Sequence, residues 1–161
     1  MSETKINILE KNILFADDPI VGHCCNTQNT MNSGVAKALR ERFPEIYQSD
    51  SAAYIKYGKE LLGKCIMCEV VTEPEDTRIK QVANLYGQPN YGYSGKRYMD
   101  YEAMYQSLEQ LKNYVRPSLV NELGLPYNIG CHRAGGHWPI VLEMIKHIFE
   151  DTDITINLYK I

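Results

Sequence analysis

No apolar run in the sequence approaches the ~18 residues of a membrane span, and the opening MSETKINILE is too polar for a secretory signal. A basic stripe is also missing. The formal net charge is −3, which argues against a general nucleic-acid binder. An anionic ligand must then be held by local backbone N–H groups and a few side chains, not by a broad positive field. No repeat, low-complexity tract, linker or long single-sign charge run divides the chain, so residues 1–161 read as one domain.

A disulfide framework is equally absent. There are five cysteines, an odd number, and Cys24 and Cys25 are adjacent. Cys65 and Cys68 have C-x-x-C spacing, but no second pair or histidine cluster completes a zinc site. Their setting, GKCIMCEVV, reads as a strand, in which residues three apart point to opposite faces. No metal or cofactor is expected. The thiols fit a reducing, cytoplasmic setting, with most of them buried.

What is present is an alternation of strand and helix patterns, which predicts an α/β domain. Strands are expected at Lys5–Leu9, Pro19–Asn26, Lys64–Val71, Ile79–Tyr86, Leu123–Asn128 and Ile154–Tyr159. Helices are expected over Gly34–Arg42, from a Ser51 cap to about Leu62, and from an Asp100 cap to about Val115 or resuming past Pro117. A last helix has Pro139 in its first turn and runs to about Glu150. In open α/β sheets ligands sit beyond the carboxyl ends of the strands. That directs attention to the loops after Asn26, Tyr86 and Asn128.

The first of these, HCCNTQNTMNSGVAKAL, places Ser33 and Gly34 at a helix start, where free N–H groups suit a phosphate. Alternatively Gly34 only makes a tight connection. The third, NIGCHRAGGHWP, has Gly130, Gly135, Gly136 and Ala134 between a strand and a helix. Such a run exposes several N–H groups around one concavity, and Arg133 adds a charged donor. The competing reading is a plain solvent loop. The stretch Tyr91–Tyr101 carries four tyrosines and is a lid, a partner surface or ordinary packing.

These motifs together resemble the macro domain family. KINILEKNIL, HCCNTQNTMNSGVAKALRERFP, LLGKC, VANLYGQ, YGYSGKRYMDYEAM, IGCHRAGGHW and ITINLYKI follow the family's order over nearly the whole chain. The branch most similar contains ADP-ribose 1″-phosphate phosphatases, with fungal, phage and bacterial members. The resemblance implies a three-layer α/β/α sandwich around a mixed sheet, and a monomer whose partner is the small molecule ADP-ribose or a derivative. It implies no membrane and no general nucleic-acid partner.

By position, the resemblance puts Asn12 and Ile13 against the adenine, with the Asn12 oxygen accepting from its amino group. Tyr159 either packs on the adenine or is an ordinary edge aromatic. Asn26 falls beside the distal ribose, and Ser33, Gly34 and Val35 fall near the diphosphate and ribose. Ile129, Gly130, Cys131, His132, Arg133, Ala134, Gly135 and Gly136 form the loop that wraps the phosphates. His23 matches a catalytic histidine of the phosphatase branch, so His23 and Asn26 are the candidate catalytic residues; a histidine in an apolar strand is otherwise a satisfied core group.

Three departures from the pattern matter. Relatives that cleave ADP-ribosyl adducts have a lysine at the end of the fourth strand, where VANLYGQ has none. They also have an aspartate where Ala134 stands. His132, Arg133 and His137 occupy variable places, and extra cations there either strengthen anion binding or mark a different ligand. The implied function is hydrolysis of ADP-ribose 1″-phosphate. The alternatives are a non-catalytic binder of ADP-ribose-like nucleotides and an ADP-ribosyl hydrolase acting on modified protein or nucleic acid.

Overall fold

Six strands among the described residues form one sheet, in chain order β1 (Lys5–Leu9), β2 (Ile20–Asn26), β3 (Cys65–Glu69), β4 (Gln81–Gln88), β5 (Glu122–Pro126) and β6 (Thr155–Tyr159). The structure is a computed structural model and describes residues 2–71, 78–92, 94, 96–131 and 134–161. His132 and Arg133 therefore lie outside the described residues, as does Tyr93. The spatial order is β1-β6-β5-β2-β4-β3. All pairings are parallel except that of β3 with β4. One edge of the sheet thus collects the carboxyl ends of five strands.

Helices α1 (Gly34–Arg42) and α2 (Glu45–Tyr57) cover one face, and α3 (Tyr101–Val115) and α4 (Trp138–Phe149) cover the other. The result is the expected three-layer α/β/α sandwich with a mixed sheet. Strand alternation feeds both layers: Ala83 and Leu85 pack with Met104, Leu108 and Leu111 of α3, whereas Val82 and Tyr86 pack with Leu39 and Ile46. Cys65 and Cys68 obey the same rule, the first packing on the α3 side and the second on the α2 side.

Local signals explain most boundaries. The Asp100 carboxylate accepts from the Ala103 N–H at 3.1 Å and caps α3. That helix ends at Val115 and does not resume past Pro117. The expected start of α2 at Ser51 is corrected to Glu45, directly after Pro44. Ser51 lies inside the helix and donates instead to the Asn29 side chain at 3.1 Å. Glu45 accepts from the Val71 N–H at 2.6 Å, a contact with the far end of β3 that local pattern does not reveal. No helix among the described residues is long and apolar enough to cross a membrane.

Under α2 the fully buried Tyr86 donates its hydroxyl to Asp50 Oδ1 at 2.6 Å. Burial pushes the Asp50 carboxyl above its ordinary value, and the tyrosine bond opposes the rise. Between the ordinary and the raised value, the folded state therefore holds a proton that the unfolded chain has released. The resulting stability is lost as pH rises through the raised folded value. Asp50→Asn keeps an acceptor for Tyr86 and removes the buried charge. Its melting temperature should exceed the parent's at pH above the raised carboxyl value, with the gap closing as pH falls through that value and the parent's carboxyl takes up its proton.

Candidate functional site

A cleft of about 740 Å³ opens along the carboxyl edge of the sheet. It is walled by the ends of β2, β4, β5 and β6, by the first turn of α1, and by the loop that follows β5. No aspartate or glutamate is among its described lining residues, and Lys160 is its one lysine or arginine there. In a chain of net charge −3, such a cleft is locally suited to an anion.

The loop after β2 is shaped by its own side chains. The β2–β4 register shifts between Cys25 and Asn26, so Asn26 opposes Gln88. Bulges of this type re-aim a side chain at the end of a ladder. Asn26 is 8% exposed, accepts from the Gln28 N–H at 2.9 Å and donates to the Thr30 carbonyl at 3.0 Å. One N–H and one lone pair of its amide remain for a ligand.

Ser33 is the N-cap of α1 but makes no capping bond with its side chain, and the first turn holds no acidic residue. The N–H groups of Gly34, Val35 and Ala36 begin the helix, and these residues line the cleft. Gly34 has φ +60, and a Cβ placed there meets nothing within 4 Å. The glycine is required by the turn, and the space above it is open.

The second loop divides. Ile129, Gly130 and Ala134 line the cleft, whereas Cys131, Gly135 and Gly136 do not. Gly136 N–H donates to the Gly130 carbonyl at 3.0 Å, closing the loop on itself. A Cβ on Gly135 would lie 2.8 Å from the Lys96 carbonyl oxygen and 2.8 Å from Arg97 Cα. That glycine serves the close approach of two backbones. His137 also faces elsewhere: it caps α4, donates its N–H to the Tyr101 hydroxyl at 2.9 Å, and borders a shallow groove between α3 and α4.

At the far end of the cleft are Asn12, Ile13 and Tyr159. Asn12 caps the short helical turn Ile13–Phe15, its oxygen accepting from the Leu14 N–H at 2.9 Å, which leaves one lone pair. The edge-aromatic reading of Tyr159 falls, because β6 lies between β1 and β5. Its hydroxyl donates to the buried Asp18 at 2.5 Å, and Asn157 donates to the other Asp18 oxygen at 2.7 Å. Burial raises the Asp18 carboxyl, with both bonds opposing the rise.

His23 borders the floor of the cleft but is only 1% exposed. Its Nε2 lies 2.7 Å from Asn84 Oδ1, and Cys25 Sγ is 3.5 Å from the same nitrogen. Burial lowers its pKa to about 4, against the opposing effect of the Asn84 bond, so the ring is neutral at ordinary pH. These are the surroundings of a satisfied core side chain that also reaches the cleft wall. Burial likewise pushes the thiols up, Cys24 to about 12 and Cys131 to about 11, so neither is a ready nucleophile.

Tyr127, Gln88 and Lys160 were not among the expected site residues, yet all three line the cleft. Tyr127 directly follows β5, so the carboxyl-edge rule was a usable signal for it. Its ring lies 5.0 Å from that of Trp138, and Lys160 Nζ sits 4.8 Å over it. Of the tyrosine-rich stretch, Tyr91 borders the cleft, Tyr98 bonds Ser94 at 2.7 Å, and Tyr101 begins α3.

These placements separate the glycines that pack against backbone from those that line the cleft. Gly135→Val combines φ +73 with a backbone clash, and should destabilise the protein by roughly 1–3 kcal/mol or more in chemical denaturation. A variant melting with the parent would refute the packing described for this loop.

No family model matches the chain. Among curated proteins, a human ADP-ribose glycohydrolase is 38% identical over 61 residues, which span 38% of this chain and 40% of that protein. An uncharacterized protein of Enterobacteria phage T4 is 28% identical over 147 residues, covering 89% of this chain and 88% of its own length. Among solved structures, the macrodomain of Mycobacterium tuberculosis DarG superposes with a TM-score of 0.78 at 19% identity, covering 96% of this chain and 98% of that one. Thermosipho africanus DarTG, solved in complex with ADP-ribose, gives a TM-score of 0.80 at 19% identity over 99% of this chain and 43% of its own. On that structural likeness, with the strand order and layers described above, the chain has the macro-domain fold.

Proposed function

We propose that the cleft binds ADP-ribose or a close derivative, and that its substrate is ADP-ribose 1″-phosphate. The observation that carries the binding part is a cleft with no aspartate or glutamate among its described lining residues, into which the first turn of a helix without a side-chain cap opens. The N–H groups of Gly34, Val35 and Ala36 face a diphosphate, and the loop at Ile129–Gly130 closes over it. Asn12, Ile13 and Tyr159 take the adenine, and the remaining Asn26 donor meets the distal ribose. His132 and Arg133 extend the phosphate loop in this reading. The likeness to a structure solved with ADP-ribose supports the ligand class.

For the chemistry, water adds to phosphorus as the bond to the anomeric oxygen breaks. His23 takes the water's proton, a solvent water protonates the released oxygen, and His23 returns its proton to solvent as ADP-ribose and inorganic phosphate leave. Backbone donors stabilise the developing charge without a metal. At the end of β4, where a lysine would support cleavage of ADP-ribosyl adducts, stands Gln88, its side chain donating to the Asn90 carbonyl at 2.7 Å. That disfavours the adduct-hydrolase alternative. A specific observation favours a second reading, a binding module without turnover: His23 is almost wholly buried and already bonded to Asn84.

Calorimetry should give an ADP-ribose Kd of roughly micromolar, about −8 kcal/mol. Gly34→Val, which projects into open space, should weaken it at least about tenfold while costing about 1–3 kcal/mol of stability from its positive φ. No heat at millimolar ligand would sink the binding proposal.

His23→Ala divides the two readings. If His23 is the base, turnover of ADP-ribose 1″-phosphate falls by about 10²–10⁴-fold, and product affinity changes little. A core role predicts a lower melting temperature with turnover per folded molecule retained. Absence of phosphate release from both proteins marks the binding module.

A further inference from the structure

His23 stands on β2 directly across from Asn84 in the β2–β4 register. Asn84 is fully buried, so its amide finds its partners within the protein. Its Nδ2 donates to the Ile46 carbonyl of α2 at 3.2 Å, and the Tyr86 hydroxyl borders the same amide. A side-chain amide has one donating and one accepting end. With the donating end on Ile46, the oxygen faces His23 Nε2 at 2.7 Å. Turning the amide over would set two acceptor oxygens against each other at Ile46 and lose that bond. An oxygen only accepts, so the hydrogen in the short contact belongs to Nε2. A neutral imidazole has one N–H, so Nδ1 is bare.

We propose that Asn84 is a positioning residue that holds His23 as its Nε2–H tautomer, leaving Nδ1 as the one ring atom able to accept a proton from a reacting water. The assignment rests on the catalytic reading given above, yet the tautomer itself is measurable without any turnover. Burial keeps the ring neutral. The other titratable groups facing this assembly are Cys25, whose Sγ lies 3.9 Å from Nδ1, and, behind it, Tyr86 and Asp50 of α2. The Cys25 thiol is pushed well above its ordinary value by burial, and the Tyr86 hydroxyl is pushed up as well. Neither competes for the proton near neutral pH.

The test is long-range ¹H–¹⁵N NMR of the histidine rings in the full chain, with the exposed His147 as internal comparison. In the parent, His23 Nε2 should resonate as a protonated nitrogen and Nδ1 as an unprotonated one. Asn84→Leu, similar in volume but without an acceptor, should draw the two shifts together. It should also lower turnover per folded molecule about tenfold or more, with ADP-ribose affinity kept. Asn84→Asp keeps the acceptor and adds a charge. It should raise the pH at which the ring titrates and move the acid limb of the pH–rate profile upward with it. A parent ring protonated on Nδ1 overturns the proposal, as does an unchanged tautomer in Asn84→Leu. Should Asn84→Leu fail to fold, the parent spectrum and Asn84→Asp still decide. A parent with the expected tautomer and no turnover supports the lock and refutes the phosphatase reading.

Discussion

Both faces of the parallel part of the sheet are covered by helices, and almost everything else follows from that burial. A doubly covered strand can place polar side chains only where each donor and acceptor is met inside the protein. In this chain β2 and β4 place His23 and Asn84 under α2, and β6 places Asn157 and Tyr159 against Asp18. These polar groups are satisfied pairwise between strands and loops. The carboxyl edge is left as the place where backbone donors remain open. The cleft lies there because the loop after β2 and the loop after β5 leave the sheet from neighbouring strands.

The site's electrostatics are consistent with that geometry. Helix starts, loop amides and the Asn26 side chain supply partial charges that burial does not penalise as heavily as full ones. Lys160 is held over the Tyr127 ring at the rim, where it stays solvated. A chain with a net negative charge can thus present an anion-compatible surface without a basic patch. Neutral His23 fits this arrangement, since an imidazolium buried beside Asn84 would lack a counter-ion.

Much of the fold was legible because its determinants are local. The helix Gly34–Arg42 and the strand Lys5–Leu9 have the bounds expected from their periodicity, and Asp100 caps as its position predicts. The errors have long-range causes. Ser51 looks like a cap, but Glu45 is engaged by Val71 across the layer, and Ser51 serves Asn29 instead. The packing of Gly135 against the backbone at Lys96 and Arg97 is likewise a long-range contact that its small-residue run does not reveal. The partner of His23 lies 61 residues away and depends on sheet register, which no motif encodes. Tyr127 was missed for a simpler reason. It belongs to no signature and is recognisable only by standing at the end of β5.

The bond between Tyr159 and Asp18 has a consequence for how tightly any planar ligand is held. An aromatic side chain on a binding wall normally samples several rotamers, and freezing them on association costs about 0.5–1.5 kcal/mol for each immobilised side chain. Here the ring is 5% exposed and tethered through its hydroxyl to a carboxylate that Asn157 also grips. Its freedom is surrendered when the chain folds, before a ligand arrives. The entropy of that ordering is charged to the folding equilibrium, and whatever enters the cleft meets a wall that is already ordered.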